Sequence, residues 1–258
     1  MLTVLLFFGT WYCLSQIDWV AVFRIQKMTD KTEKKLGDLF WDVFKKSGKE
    51  NKNEFVKHAV DSIVTRLCVS NNIDKNKLKI HVLDKDDVNA FALPNCHLVV
   101  YSGLITNADN AEEVAGVVGH ELAHIELNHV MKKLIKEIGL SVLITMTTGG
   151  GSGETIKEAA KTLSSSAFDR ELEKEADLKA VEYLVRAKVN PSCFANFMFK
   201  IADKENEAFK YLTWMSTHPD SKQRAAYILA ESKKSPVSFR PVLATTTWEK
   251  LQKELKED

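Results

Sequence analysis

The stretch His120-Glu121-Leu122-Ala123-His124 has the H-E-x-x-H pattern. On an α-helix, histidines four positions apart lie on one face, about one turn from each other. Both imidazoles can then bind one Zn²⁺ ion at N–Zn distances of about 2.0–2.1 Å. Glu121 lies about 100° around the helix from His120, so it flanks the ion and can take a proton from an attacking water. The pattern therefore predicts a zinc site in which Glu121 is the general base.

The residues around this motif favour a helix. Asp109 and Glu112 have the spacing of a capping box, in which side chains at the helix start satisfy free backbone N–H groups. After this cap, apolar residues recur at helical spacing to about Lys133, namely Val114, Val117, Val118, Leu122 and Ile125. The alternative interpretation of the motif is a pair of core or surface histidines that bind no metal.

A catalytic zinc site usually has three protein ligands, so a third must come from elsewhere. The longer pattern H-E-x-x-H-x-x-G-x-x-H requires glycine at 127 and histidine at 130, but the chain has Leu127 and Val130. His129 follows His120 by nine positions, which places it on roughly the opposite face of a continuous helix. We therefore expect His129 to be structural or exposed.

Acidic residues further along the chain are better candidates for the third ligand. Glu173 and Asp177 lie four positions apart in the charge-rich stretch 170–177, and hence on one helix face. Glu173 can complete a His₂Glu set, while Asp177 accepts a hydrogen bond from a ligand histidine or anchors the helix. The small residue Ala176 beside them permits close helix packing. From spacing alone, a solvated charged face explains this stretch equally well.

The composition is that of an ordinary globular protein. The chain has 258 residues, a formal net charge of +1, 45% hydrophobic residues and 28% charged residues, which excludes a disordered chain. The nearly balanced charge argues against a nucleic-acid partner, because such proteins usually have a basic excess. The four cysteines form no C-x-x-C pair, which excludes a cysteine-rich zinc site. A domain of roughly 200 residues can bury a large core without disulfides or structural metals, so a metal in this chain is expected to serve chemistry.

Residues 1–23 carry a single charge, Asp18. A spanning helix needs about 20 apolar residues, so the segment is marginal as an anchor. No Lys or Arg precedes it and no A-x-A site follows it, which weakens the alternative of a cleaved signal peptide. We expect an N-terminal membrane anchor or export signal, and a membrane-associated or exported protein of the bacterial cell envelope; a core helix is the remaining alternative. Basic residues follow this segment, and by the positive-inside rule they favour a cytoplasmic location for the rest of the chain. An export signal would place it on the other side, so the side of the membrane is left open.

The body reads as helices around a small sheet. Two amphipathic helices, with apolar faces in 36–44 and 55–67, predict a helical hairpin over 24–75 that packs on the core. Residues 78–105 alternate or are β-rich, which predicts a small sheet. Residues 236–258 are expected to form a tail with a short docking helix.

An apolar stretch at 138–146 leads into the glycine-rich segment Gly149–Gly153. The stretch is too short to span a bilayer, so core or lid is the favoured interpretation. Glycine permits many backbone conformations, and we expect a mobile hinge or lid at Gly149–Gly153. A helix is predicted next, over about Ser166 to Ala187.

Four separated blocks of this sequence resemble metallopeptidase family forty-eight, which includes HtpX-type membrane proteases, CAAX prenyl endopeptidases and BepA-type periplasmic proteases. Their order and spacing, over about 89–229, are specific for the family and not for a subfamily. Cys96 stands where the family more often has glycine. The blocks are Asn89–Pro94 with His97 and Ser102-Gly103-Leu104; Glu112–His124; Glu173-Lys174-Glu175-Ala176-Asp177; and Thr217-His218-Pro219 followed by Arg224.

The resemblance implies an α+β fold, which is a mostly helical zincin of the gluzincin type with a small β-sheet next to the active-site helix. It implies a zinc metallopeptidase domain over 76–235 and identifies Glu173 as the third ligand of one Zn²⁺ per chain. His218 is then expected to stabilise the tetrahedral oxyanion. Arg224 is expected to support His218 or to contact substrate.

Together these inferences predict a zinc-dependent endopeptidase that hydrolyses protein or peptide substrates, with misfolded or membrane-associated proteins as candidates. The segments 89–94 and 97–101 could pair edge to edge with an extended substrate. A latent metallopeptidase that acts mainly as a chaperone or binding module is the main alternative, and a structural protein with a chance motif is another. A prenyl-protein protease is disfavoured because the chain has at most one membrane segment. Nothing in the sequence indicates the oligomeric state.

Overall fold

A computed structural model describes residues 30–203, 214–234 and 238–257 of the chain. The predicted anchor or export signal at 1–23 lies outside these residues. None of the helices within the described ranges is both long enough and apolar enough to cross a bilayer.

The described chain is mostly helical and contains one small sheet, which confirms the predicted α+β fold. The strands are Lys49–Glu50 (β1), Lys79–Asp84 (β2), Ala90–Leu93 (β3) and His97–Tyr101 (β4). The helices are Asp30–Phe44 (α1), Glu54–Asn71 (α2), Ser102–Asn107 (α3), Ala111–Glu126 (α4), His129–Ile138 (α5), Leu140–Thr148 (α6), Gly153–Ser165 (α7), Arg170–Arg186 (α8), Ser192–Asp203 (α9), Ser221–Ser232 (α10) and Thr245–Glu257 (α11).

The four strands are ordered β1-β2-β4-β3. β2 and β4 are parallel, while β3 is antiparallel to β4 and forms one edge of the sheet. The β3–β4 turn contains Cys96 at φ 57°, a left-handed backbone that glycine adopts without steric cost. This conformation explains why a glycine suits the position where the chain has cysteine.

Apolar side chains cover both faces of the sheet. In β4, Leu98 and Val100 belong to the larger apolar cluster with α2 and α4, because alternate strand residues point to opposite faces. Val99 and Tyr101 belong to a second cluster with α1, α5, α6 and α7. A strand buried on both faces reads as a continuous apolar run, as β4 does.

The two helices at the start of the described chain do not form the predicted hairpin. α1 lies in the second apolar cluster, whereas α2 lies in the larger cluster on the other face of the sheet. Between them, β1 pairs with the outer side of β2 and carries the chain from one face to the other. The prediction of two amphipathic helices is therefore right, and the prediction of their mutual packing is wrong.

The motif helix α4 begins one residue later and ends earlier than predicted. Its N-cap is Asn110, whose side chain accepts a hydrogen bond from the backbone N–H of Glu113 at 3.0 Å. The Glu113 carboxylate in turn accepts from the backbone N–H of Asp109 at 2.9 Å. The helix ends at Glu126 because Asn128 has a left-handed backbone, φ 56°, and α5 then begins in a new direction.

Other boundaries also differ from prediction. The apolar stretch forms α6, and the glycine-rich segment connects it to α7, a helix that the sequence analysis missed. The next helix, α8, begins at Arg170 and not at Ser166. The C-terminal helix α11 packs on α2 and α3, with Trp248 and Leu251 buried.

Two glycines in α4 allow a matched test of how closely the helices α9 and α8 pack against it. A Cβ at Gly116 would lie 2.8 Å from Phe194 Cγ in α9 and closer still to Phe194 Cβ. A Cβ at Gly119 would lie 3.8 Å from Ala180 Cβ in α8, an ordinary contact.

We therefore expect Gly116→Ala to lower the free energy of unfolding by about 1–3 kcal/mol, the usual cost of overpacking. Gly119→Ala should leave it unchanged or raise it by up to about 1 kcal/mol, because alanine favours the helix. Denaturant unfolding of the two variants measures both values. Equal stability of the two variants would contradict the packing described for α4.

Candidate metal centre

Three elements bring the predicted site residues together. α4 supplies His120, Glu121 and His124, and α8 supplies Glu173. His218 lies just before α10. α4 packs on α8 along small residues, and this close approach lets short side chains from both helices meet.

Four buried side chains form one group of potential ligands. One ligand atom from each of His120, His124, Glu173 and His218 lies within 4.8 Å of the other three. The two motif histidines face each other with 2.9 Å between their Nε2 atoms. Glu173 Oε1 lies 3.3 Å from His124 Nε2, and Glu173 Oε2 lies 3.7 Å from His120 Nε2. All four residues are at most 2% exposed.

The hydrogen-bond partners assign the lone pairs of this group. His120 Nδ1 lies 2.9 Å from Asp177 Oδ1, so the proton of that ring belongs on Nδ1 and Nε2 is left with its lone pair. His124 Nδ1 lies 3.1 Å from His129 Nδ1, which likewise leaves Nε2 for the group. Two imidazole lone pairs beside a carboxylate oxygen repel one another unless a proton or a metal ion lies among them. The donor set of imidazole nitrogen and carboxylate oxygen therefore fits a metal ion, and it is a set that zinc commonly takes.

Glu121 flanks this group, as the helix geometry predicts. Its Oε2 accepts a hydrogen bond of 3.1 Å from the backbone N–H of Ala92 in the edge strand β3. Its Oε1 lies 3.4 Å from His218 Nε2 and accepts no hydrogen bond from the described residues. Burial, together with the nearby Glu173 carboxylate, raises the pKa of Glu121 to about 7, although His120 opposes the shift.

His218 lies inside the ligand group. Its Nδ1 is 2.9 Å from Glu173 Oε1 and 3.2 Å from His120 Nε2. Its ring stacks between those of Trp214 and Phe168, at centroid distances of 4.7 and 5.6 Å. Burial lowers its pKa to about 4, which keeps the ring neutral. The structure thus makes His218 a fourth candidate ligand, a position that the sequence analysis did not consider when it predicted an oxyanion donor.

Asp177 connects the histidines to α10. It accepts two hydrogen bonds of 2.8 Å from Arg224 Nε and Nη2, in addition to its contact with His120. Burial alone would raise the pKa of Asp177, but Arg224 and His120 lower it to about 2. Tyr227, three residues after Arg224, donates a short hydrogen bond to the same carboxylate. Sequence reasoning missed Tyr227, whose only signal is its place on the same face of α10 as Arg224.

Arg224 is buried among carboxylates. Besides Asp177, its Nη1 contacts Glu173 Oε2 directly. Of the two predicted roles, this arrangement fits the support of site residues.

Phe168 and Lys133 cover the group from the side of α5 and α7. The Phe168 ring lies 4.1 Å from the His124 ring, and Lys133 Nζ lies 4.1 Å from the Phe168 centroid. Lys133 Nζ also donates to the backbone carbonyl oxygen of Leu163 at 2.9 Å. Neither residue belongs to a motif, so the sequence offered no signal for them. These contacts cover one side of His124.

The Asp177–Arg224 pair provides a test of this arrangement. Replacing one partner of a buried ion pair leaves the other charge uncompensated, at a cost of about 3–5 kcal/mol. Asp177→Asn leaves Arg224 paired with Glu173 alone, so we expect it to lower the unfolding free energy of the metal-free protein by part of this amount, about 1–3 kcal/mol. Tyr227→Phe, which removes one hydrogen bond to the carboxylate, should cost about 1–2 kcal/mol. Denaturant unfolding compares them, and a loss below 1 kcal/mol for Asp177→Asn would contradict the described pairing.

Comparison with known proteins supports the same interpretation. Metalloprotease LoiP of Escherichia coli (strain K12) is 32% identical over 168 residues, 62% of this chain and 65% of that protein. The beta-barrel assembly-enhancing protease of Yersinia pestis is 26% identical over 172 residues, 62% of this chain and 35% of that protein. The mitochondrial metalloendopeptidase OMA1 of Bos taurus is 29% identical over 188 residues, 66% of this chain and 36% of that protein.

The matched segment thus spans between 35% and 65% of the length of these three relatives. A family model of Peptidase family M48 matches residues 56–232, which is more than half of the chain. All four sequence blocks lie within this range, and the resemblance first noted in them is confirmed. The chain is therefore a member of Peptidase family M48.

Proposed function

We propose that this chain is a zinc-dependent endopeptidase in which His120, His124 and Glu173 hold the metal and Glu121 is the general base. One observation carries the proposal: two imidazoles from one helix and a carboxylate from another lie within 4.8 Å, beside a second buried carboxylate. Membership of a peptidase family supports the reaction class.

Zinc is the metal that the donor set favours. Nitrogen and carboxylate donors in a His₂Glu set occur in catalytic zinc sites, which keep one position open for water or substrate. When bound, zinc supplies a Lewis acid that polarises the scissile carbonyl and makes water reactive near neutral pH.

Glu121 performs the proton transfers. The backbone N–H of Ala92 holds one carboxylate oxygen, and the other oxygen faces His218 across 3.4 Å. A carboxylate in this position can accept a proton from the attacking water and then release it to the leaving amine.

The substrate is proposed to be an extended protein segment bound at β3. β4 lies between β2 and β3, so the earlier suggestion that 97–101 also pairs with substrate is wrong. Among the described strands, β3 is the sheet edge beside Glu121, and an extended peptide that adds to this edge would pass close to the ligand group.

Access to the site is proposed to depend on α6 and α7. Gly139 and Gly149 flank α6 with φ values of 89° and 95°. No atom lies within 4 Å of the position that a Cβ would take at either glycine. These glycines are natural hinge points for a covering segment.

Limited proteolysis should therefore cut first within Gly149–Gly153, and protection of this segment relative to the rest of the chain would contradict a mobile cover.

We also propose that the protein acts at a membrane or in the cell envelope, on misfolded or membrane-associated proteins. The support is the almost uncharged segment 1–23 and the names of two relatives, one that enhances β-barrel assembly and one that is mitochondrial.

The roles of ligand and base can be separated with two substitutions. Glu121→Gln should keep stoichiometric zinc while cleavage of unfolded casein falls by about 10²–10⁴-fold, the contribution of a general base. His120→Ala should lose the zinc itself. Metal analysis of the purified proteins and a casein cleavage assay provide both readouts.

Glu126→Gln is the matched control, because Glu126 lies exposed on the same helix outside the ligand group. It should retain zinc and activity. Cleavage by Glu121→Gln at the wild-type rate would rule out the proposed base. Zinc retained without measurable cleavage in the wild type would instead favour a binding module.

A further inference from the structure

We propose that His129 is a positioning residue for the metal ligand His124: a ring-to-ring hydrogen bond from His124 to His129 fixes which nitrogen of His124 faces the metal. The inference rests on the proposed zinc site. It assigns a role to a residue that the sequence analysis expected to be structural or exposed.

The contact is direct and buried. His129 Nδ1 lies 3.1 Å from His124 Nδ1, and the two ring centroids are 5.0 Å apart at 72°. His129 is fully buried, and its other nitrogen, Nε2, lies 3.2 Å from Glu175 Oε2. Both nitrogens of a buried imidazole therefore have partners.

The protons of this chain of contacts have one consistent arrangement for neutral rings. His124 Nε2 faces His120 and Glu173, so it carries the lone pair and Nδ1 carries the proton. His124 Nδ1–H then donates to His129 Nδ1. His129 must carry its own proton on Nε2, from which it donates to the Glu175 carboxylate. These positions are assigned from the partners that each nitrogen faces.

The backbone explains how His129 reaches this position. In a continuous helix it would point away from His124, but the left-handed residue Asn128 ends α4 and turns the chain. α5 begins at His129 and directs the ring back towards the end of α4. Asparagine adopts this backbone conformation more readily than most residues.

Phe168 completes the confinement of His124. Its ring centroid lies 4.1 Å from that of His124, with 31° between the ring planes, so packing restrains the tilt of the His124 ring. The contact with His129 restrains the ring flip that would exchange the positions of Nδ1 and Nε2. Without His129, the buried Nδ1–H of His124 loses its acceptor, which costs free energy. The His124 ring can then turn and present Nδ1 instead of Nε2 to the metal. Asp177 does the same for His120, so each motif histidine has its own orienting partner.

The prediction concerns zinc affinity, measured by chelator competition on the full chain. Loss of an orienting partner typically weakens metal binding by about 10–100-fold, and we expect this for His129→Ala. His129→Asn, whose amide oxygen takes the place of Nδ1, should recover most of the affinity. His129→Gln places its amide near the Nε2 position and should recover less. The comparison of Asn with Gln remains decisive if His129→Ala does not fold.

His97→Ala is the matched control, because His97 is a buried histidine outside the ligand group. It should alter thermal unfolding without altering zinc affinity. An equal loss of affinity in His97→Ala and His129→Ala, or equal affinities of the Asn and Gln variants, would overturn the role of His129. Wild-type affinity in His124→Ala would instead overturn the proposed ligand set, so the two failures are distinguishable.

Discussion

The structure depends on one electrostatic constraint: imidazole lone pairs and a carboxylate oxygen are held together in a buried space where a cation is needed between them. The Nε2 atoms of His120 and His124 are 2.9 Å apart, and Glu173 completes the set from α8. Close packing of α4 on α8 makes this approach possible, and Gly119 lies at that contact. A substitution that separated these helices would disperse the ligands even if each of them remained.

A second layer of contacts holds the ligands in the orientation that a metal requires. Asp177 Oδ1 lies 2.9 Å from His120 Nδ1, and Asp177 is itself held by Arg224, while His124 contacts His129. The charges in this layer are balanced against one another, since the Asp177 carboxylate is paired with a guanidinium. Pairing opposite charges in this way limits the free-energy cost of burying so many polar groups.

Much of this arrangement could be predicted from short-range patterns. The H-E-x-x-H spacing and the flanking apolar residues located the motif helix, and the resemblance to a peptidase family identified Glu173, for which spacing alone left a solvated surface as an equal alternative. The position of His129 could not be predicted, because a single left-handed Asn128 breaks the helix before His129 and asparagine carries only a weak signal for such a break. Tyr227 and Phe168 reach the site through tertiary packing, which has no local pattern.

X-ray absorption at the zinc edge of the loaded protein tests the central claim most directly, because it measures the ligands of the metal themselves. The structure predicts nitrogen and oxygen neighbours at about 2.0–2.1 Å with the scattering of at least two imidazoles. Among the cysteines that the structure describes, none of Cys68, Cys96 and Cys193 belongs to the ligand group, so these residues contribute no sulfur neighbour. A sulfur shell near about 2.3 Å, or a site with a single imidazole, would contradict the account.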